Sequence, residues 1–443
     1  MTRKTIILSA LLICVLTPFS QVSASKIPSA ELSAIHQRFL NDPANNDLLY
    51  EYARTAVRDG NFEAAISVLE SLLVITPNQP RVMLELGVLY QRLCVPKTAT
   101  IYLETAQKLA GDNSEIAILA EEYLYRYEQR DSPNRFNGVV RLGARYQSNP
   151  TLSPEIPEIL SGGFNVPLPE ARKRESDFNG YLFSRLSHRY AMAEKAFFVT
   201  DLTLYGTLYN EHDHLNYGVA ELATGPRYES AMNANGQFTV RPLVILRGSS
   251  LDGELFEQTT GAGIDFGITP AADTWFIPRL KLQYQYRDIE YEDFNDQGSA
   301  PLRNGEEHRL DLRFITEWIR GNLLEIGFFG RQKGAERLYM EVDQYDFSLR
   351  YSFRFNNFLN GRPRMTATPF VIYRAIDFGG PDPEIDSSIS REDRQWRMGL
   401  NYRLPTSPTS AMMLCLERTE SDSNIINYDF ENNLIKLSYQ KEF

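Results

Sequence analysis

The chain has 443 residues, with 46 lysines and arginines against 57 aspartates and glutamates, for a formal net charge of -11. That balance argues against nucleic acid as a partner. Mean hydropathy is -0.34 and no internal run approaches the ~18 consecutive apolar residues of a spanning helix, which excludes a helical membrane bundle. A barrel is not excluded, because its polar lumen face dilutes every window.

The first residues read as an export signal. Arg3 and Lys4 precede an apolar run from Ile6 to Leu16, and Val22-Ser23-Ala24 offers a small-residue cleavage site. This is the pattern of a secretory signal peptide over residues 1–24, with a core too short to span a bilayer. Cys14 sits inside the run and follows Ile13, where a lipoprotein signal wants a small residue. Cleavage would leave Cys94 and Cys415 in different domains, so no structural disulfide is expected.

Residues 25–133 are predicted to be helical. From residue 47 to about 128 a pattern recurs at a separation of 34: Tyr52 with Leu86, Ala53 with Gly87, Ala65 with Ala99, Leu69 with Leu103, and Pro77 with Gly111. The unit resembles the tetratricopeptide repeat, whose period is 34 and whose small residues mark close helix crossings. Gly60-Asn61 supplies a turn between helices, and Pro96 suits the first turn of the next. A helix over Glu115–Tyr127 would cap the stack, and one around Glu31–Leu40 would cover its start. The resemblance implies a scaffold for a protein or peptide. It places Tyr50, Arg54 and Arg58 on one wall of a groove, and Leu84, Val88, Gln91 and Arg92 on the next.

After Pro133 the period falls from 3.6 to 2. In Arg279–Arg287 leucines and tyrosines alternate with arginines, a lysine and glutamines. Fourteen such segments are predicted, near 138–147, 177–189, 195–209, 216–229, 236–247, 255–269, 274–288, 306–318, 322–333, 344–355, 363–378, 392–403, 410–420 and 430–443. Their length suits a tilted bilayer crossing. Connections after odd strands are often long (148–176, 289–305, 379–391), and those after even strands are short. That parity predicts an outer-membrane β-barrel over 134–443, with the helical domain in the periplasm of a Gram-negative bacterium. The last strand places Ile435, Leu437, Tyr439 and Phe443 on one face. Its aromatic ending resembles the signal read by the barrel-assembly machinery, with Tyr439 and Phe443 as its residues.

No catalytic residue, cofactor or metal site is predicted. His212-Asp213-His214 lacks a third partner for a metal, the acidic runs Glu290–Asp293 and Pro381–Glu384 lack EF-hand spacing, and Ser148 and Ser187 have no evident base. The lumen is the expected working surface. Arg141, Arg145, Arg279, Lys281, Arg287, Arg309, Arg313, Arg350 and Arg354 are predicted to face it, together with Arg394, Arg397 and Arg403. Asp311, Glu317, Asp346 and Asp393 would neutralise some of them.

A signal peptide, a short helical repeat array and a fourteen-stranded barrel resemble the surface lipoprotein assembly modifier family. Local support is Gly143-Ala144-Arg145-Tyr146-Gln147-Ser148-Asn149, where Ser-Asn closes the first strand. The resemblance implies an outer-membrane translocation factor whose periplasmic repeats capture a protein client, a surface lipoprotein or a secreted haem-binding-type protein. Outer-membrane lipid and the assembly machinery are its other expected partners. Two further readings stand beside it: a polysaccharide or small-solute export conduit, suited to an arginine-lined lumen, and a surface adhesin or receptor built on the long loops.

Overall fold

The computed structural model describes residues 34–35, 37–38, 46–93, 95–111, 114–131, 133–169, 173–232, 236–270, 278–292, 300–319, 322–357 and 364–443. The signal-peptide segment, most of the helix expected over Glu31–Leu40, His36, Cys94, Ser132 and Asp293 lie outside them, as does the side chain of Arg58. The chain divides into two compact units, Met1–Gly111 and Asp112–Phe443. The division falls one helix before the 133/134 boundary expected from sequence.

In the first unit, α1 (Asn46–Arg58), α2 (Phe62–Ile75), α3 (Pro80–Arg92) and α4 (Pro96–Ala110) follow one another with short turns. The starts of α1 and α3, and of α2 and α4, are each 34 residues apart. The turn after α1 passes through Gly60 at φ 75°, and the Asn61 side chain accepts a hydrogen bond from Ala64 N at 3.2 Å, capping α2. Prolines open α3 and α4 where the missing N–H costs nothing. Leu49, Leu69, Leu72, Val82, Leu86 and Leu103 are fully buried. Gly87 allows α3 and α4 to cross closely, since a Cβ there would lie 2.6 Å from Leu103 Cγ.

The second unit begins with α5 (Glu115–Asp131). The strands follow: β1 (Asn134–Gln147), β2 (Glu158–Ser161), β3 (Phe164–Pro167), β4 (Asp177–Ala193), β5 (Ala196–Tyr209), β6 (Tyr217–Glu229), β7 (Gln237–Leu251) and β8 (Glu254–Thr269). Then come β9 (Arg279–Tyr291), β10 (Gly305–Ile319), β11 (Asn322–Lys333), β12 (Val342–Phe355), β13 (Met365–Pro381), β14 (Ser390–Ser407), β15 (Ser410–Ser423) and β16 (Phe430–Glu442). All but β2 and β3 form one closed antiparallel barrel, sealed where β1 meets β16. These are the fourteen strands expected. The expectation missed the β2–β3 hairpin, which stands inside the connection 148–176.

Burial in this unit is inverted relative to a soluble protein. Leu142, Val244 and Leu246 are 63%, 54% and 51% exposed, while Arg241, Arg287, Glu307 and Asp393 are 7%, 3%, 0% and 0% exposed. Outward positions are apolar and lumen positions polar, the pattern of a transmembrane outer-membrane barrel. Aromatics gather toward both ends of the outer face: Phe136, Tyr190, Phe198, Trp318 and Phe443 near one rim, Phe178, Tyr345 and Trp396 toward the other. Ile435, Leu437, Tyr439 and Phe443 lie outward as expected, and Gly138 leaves room for the Phe443 ring, which a Cβ would meet at 2.6 Å. Lys441 is also outward, its Nζ donating to Thr409 Oγ1 at 2.7 Å beside a turn.

The loop parity holds in its extremes, and one connection at the long-loop rim is a tight turn. β7 and β8 are joined at the long-loop rim by Asp252-Gly253 alone, with φ 50° and 83° at the two residues, as a tight hairpin requires. The 148–176 connection is laid on its neighbours. Gly162 and Gly163 N donate to Glu384 and Ile385 O at 2.9 and 2.8 Å, and Leu160 exchanges hydrogen bonds with the Asn427 side chain at 2.6 and 2.9 Å. Asn149, fully buried, donates from its side chain to Ser153 O and Glu431 O. Ser148 Oγ accepts from Asn433 N at 2.9 Å. The Ser-Asn pair therefore fastens the barrel seam.

Candidate functional site in the barrel lumen

Closure of the sheet brings the odd positions of β9 into the lumen as a ladder: Arg279, Lys281, Gln283, Gln285, Arg287. Register sets their neighbours. Lys281 stands opposite Arg313, Gln283 opposite Asp311, Gln285 opposite Arg309, and Arg287 opposite Glu307 on β10. A cavity of about 670 Å³ lies against this wall, lined from β4 through β11. Its size is that of a small-molecule site.

Eight cations line the cavity: Arg185, Arg227, Arg241, Arg279, Lys281, Arg287, Arg309 and Arg313. Five have carboxylate partners. Arg241 pairs with Asp201 at 2.5 Å, Arg287 with Glu221 at 2.9 Å, Arg227 with Glu229 at 2.9 Å, Arg313 with Asp311 at 2.6 Å, and Arg309 with Glu307. Glu307 also takes Arg331 at 2.5 Å. Arg185, Arg279 and Lys281 have no carboxylate partner among the described residues. In a chain of net charge -11, this stretch of wall presents positive charge that no carboxylate among the described residues pairs.

Apart from Arg394, the other expected lumen arginines also face inward, but elsewhere on the wall. Arg141 donates to Gln440 Oε1 at 3.1 and 2.6 Å, and Arg145 to Asn179 Oδ1 at 3.1 Å. Arg350 pairs with Glu325 at 2.7 Å, Arg397 with Glu417 at 2.8 Å, and Arg403 with Glu442 at 3.3 Å. Arg354 is exposed near the end of β12. Asp346 takes Arg374 and Asp393 takes Arg391, at 2.8 and 2.7 Å. Arg394 corrects the sequence reading. It shares its strand face with the outward Trp396 and Met398 and pairs with Asp377 at 2.8 Å. Near the rim an outward position can meet water or lipid headgroups, so its polarity no longer reports the lumen.

Arg185, Arg227, Arg241, Glu221, Asp201, Asp265 and Glu307 were not singled out from sequence. Alternation around Arg241 is blurred because its lumen-side neighbours on β7 are Leu243 and Ile245, buried at 5% and 0% exposure. His212 turns inward on itself at the long-loop rim: its Nδ1 lies 3.1 Å from Asp177 Oδ2, an oxygen that also accepts from Glu211 N and His212 N.

In the helical unit, Tyr50 is half-buried beneath the Arg81 guanidinium (5.7 Å), and burial next to Glu85 pushes its hydroxyl up to about 12. Arg54 is exposed, and Val88 and Gln91 are half-buried. Arg92 lies 5.5 Å over the Phe62 ring. Leu84 departs from the expected groove: at 8% exposure it packs inside the helices. The Tyr90 and Tyr102 hydroxyls both donate to Glu70, at 2.6 and 3.2 Å, with their rings stacked 5.6 Å apart.

No protein-family model and no curated protein matches this sequence. Among solved structures the chain is similar to OccAB3 of Acinetobacter baumannii, with TM-score 0.35 and 9% identity over 70% of this chain and 99% of that one. It is also similar to the outer membrane protein OpdK of Pseudomonas aeruginosa (0.33, 10%, 70% and 99%) and to a BenF-like porin of Pseudomonas fluorescens (0.33, 10%, 71% and 99%). Likeness at this level bears on neither solute nor mechanism, which rest on the lumen itself.

Proposed function

We propose that this protein is an outer-membrane conduit for hydrophilic anionic solutes, with the barrel lumen as its path. The observation that carries this reading is the lumen cavity, in which Arg185, Arg279 and Lys281 stand without carboxylate partners among the described residues. Fixed positive charge beside a low-dielectric wall concentrates anions and repels cations. The test is conductance of the purified protein in planar bilayers under a salt gradient. The expected result is a discrete channel whose reversal potential favours anions, with the preference reduced in an Arg279→Gln/Lys281→Gln variant. A silent barrel, or one that prefers cations, overturns the reading.

A second reading is favoured by the 34-residue spacing of the helix starts. In it the helices are a periplasmic repeat array that captures a protein client through Tyr50, Arg54 and their neighbours, and the barrel assists passage to the surface. Insertion would proceed through recognition of Tyr439 and Phe443 by the barrel-assembly machinery. Deleting residues 46–110 separates the two. The conduit keeps its conductance, whereas the translocator loses surface display of its client.

A further inference from the structure

One level of the lumen wall reads Thr239, Gly267, Lys281, Arg313, Gly327 and Ser348, each the register partner of the next. Two cations stand opposite each other at its centre, an arrangement that costs a sheet stability. Arg313 turns along its own strand to Asp311, at 2.6 Å. Lys281, and Arg279 two residues along β9, make no hydrogen bond or ion pair among the described residues, and both are exposed to the lumen. The adjacent level does carry carboxylates. Asp265, Asp311 and Asp346 are taken there by Gln283, Arg313 and Arg374. An acid on this wall is therefore structurally possible, and none stands at these six positions; the next along the level, Glu229 opposite Thr239, is taken by Arg189 and Arg227.

Glycines flank the cation pair on both sides. A Cβ on Gly267 would lie 2.7 Å from Thr239 Oγ1, and one on Gly327 2.5 Å from Ser348 Oγ. The two hydroxyls thus lean into the spaces the missing side chains leave. The level presents positive charge at its centre and hydroxyls at its wings. Thr239 lies two strands from Lys281, about 10 Å at the usual strand spacing, which suits a ligand of more than one ring.

We infer that this level binds an acidic oligosaccharide of the uronic-acid type. Its carboxylate sits on Lys281 and Arg279, and its ring hydroxyls exchange hydrogen bonds with Thr239. The inference names a solute class for the proposed conduit and rests on that reading for how such a ligand arrives, but binding is measured without transport.

The experiment is calorimetric titration of the full-length protein in detergent micelles with trigalacturonate, its methyl ester and citrate. Trigalacturonate is expected to bind, with ester and citrate at least tenfold weaker. Arg279→Gln/Lys281→Gln should weaken trigalacturonate at least tenfold, while Lys281→Arg keeps it within about twofold. Heat-modifiable gel migration checks that each barrel is folded. Should the double variant fail to fold, the three ligands on the wild-type protein and on Lys281→Arg still decide. Equal binding of the ester removes the role of charge, and equal binding of citrate removes the saccharide. Unchanged affinity in a folded double variant, or no binding of trigalacturonate, removes the site. A barrel that binds without conducting sinks the conduit and leaves this site standing. One that conducts without binding does the reverse.

Discussion

Glu307 has no exposed surface, and its two oxygens are taken by Arg309 on its own strand and Arg331 on the next. Breaking a buried pair by removing one partner typically costs about 3–5 kcal/mol, because charge is left without compensation. Glu307→Gln keeps the shape and leaves Arg309 and Arg331 close together beside Arg287. The variant should unfold at lower urea in micelles by that order, and an unshifted midpoint would mean that lumen water solvates the site. In the helical unit, hydrogen bonding to Glu70 pushes the Tyr90 hydroxyl from its ordinary 10.0 up to about 12. A folded value above the unfolded one favours the protonated phenol, so this stabilisation is complete below pH 10 and fades as pH rises toward 12. A tyrosinate-absorbance difference titration of wild type against Tyr90→Phe should show the missing group ionising near 12. Ionisation near 10 would exclude the contact.

At the level of elements, the barrel strands were legible because most keep period two along their 12 to 18 residues. β11 falls at the residues expected and most others within a few. The β2–β3 hairpin was not legible. Its strands are four residues each, without alternation, and its stability comes from other loops rather than its own sequence. Pairing inside the lumen was hidden for a related reason: Arg241 on β7 reaches Asp201 on β5, and Arg287 on β9 reaches Glu221 on β6. Such partners are set by barrel curvature and register. The hairpin also makes a prediction. It ties its own connection to 382–389 and 424–429, and Tyr428 from the latter lies 3.2 Å over the guanidinium of Arg391. Replacing residues 155–169 by a short Gly-Ser linker releases these loops together. Single-channel conductance in planar bilayers is expected to rise and grow noisier, and an unaltered trace would show that the hairpin lies clear of the path.

Across the whole molecule, lumen cations without carboxylate partners among the described residues stand at Arg185, Arg279 and Lys281 around the cavity and at Arg141 and Arg145 near the seam, while the chain as a sum is acidic. A charge ladder of this kind works only inside a finished cylinder, and the finishing contact is the most distant in the chain. Val139 pairs with Glu442 and Gln147 with Leu434. Until β16 docks, β1 and β15 each carry a row of unsatisfied amide groups that neither lipid nor a partly filled lumen can accommodate. Closure of so long a loop is also slow. Synthesis and folding are thereby uncoupled: a ribosome's progress along the chain completes no stable part of the cylinder. A chain broken anywhere before β16 is a substrate for aggregation or proteolysis rather than a leaky pore, which protects the envelope from half-built holes.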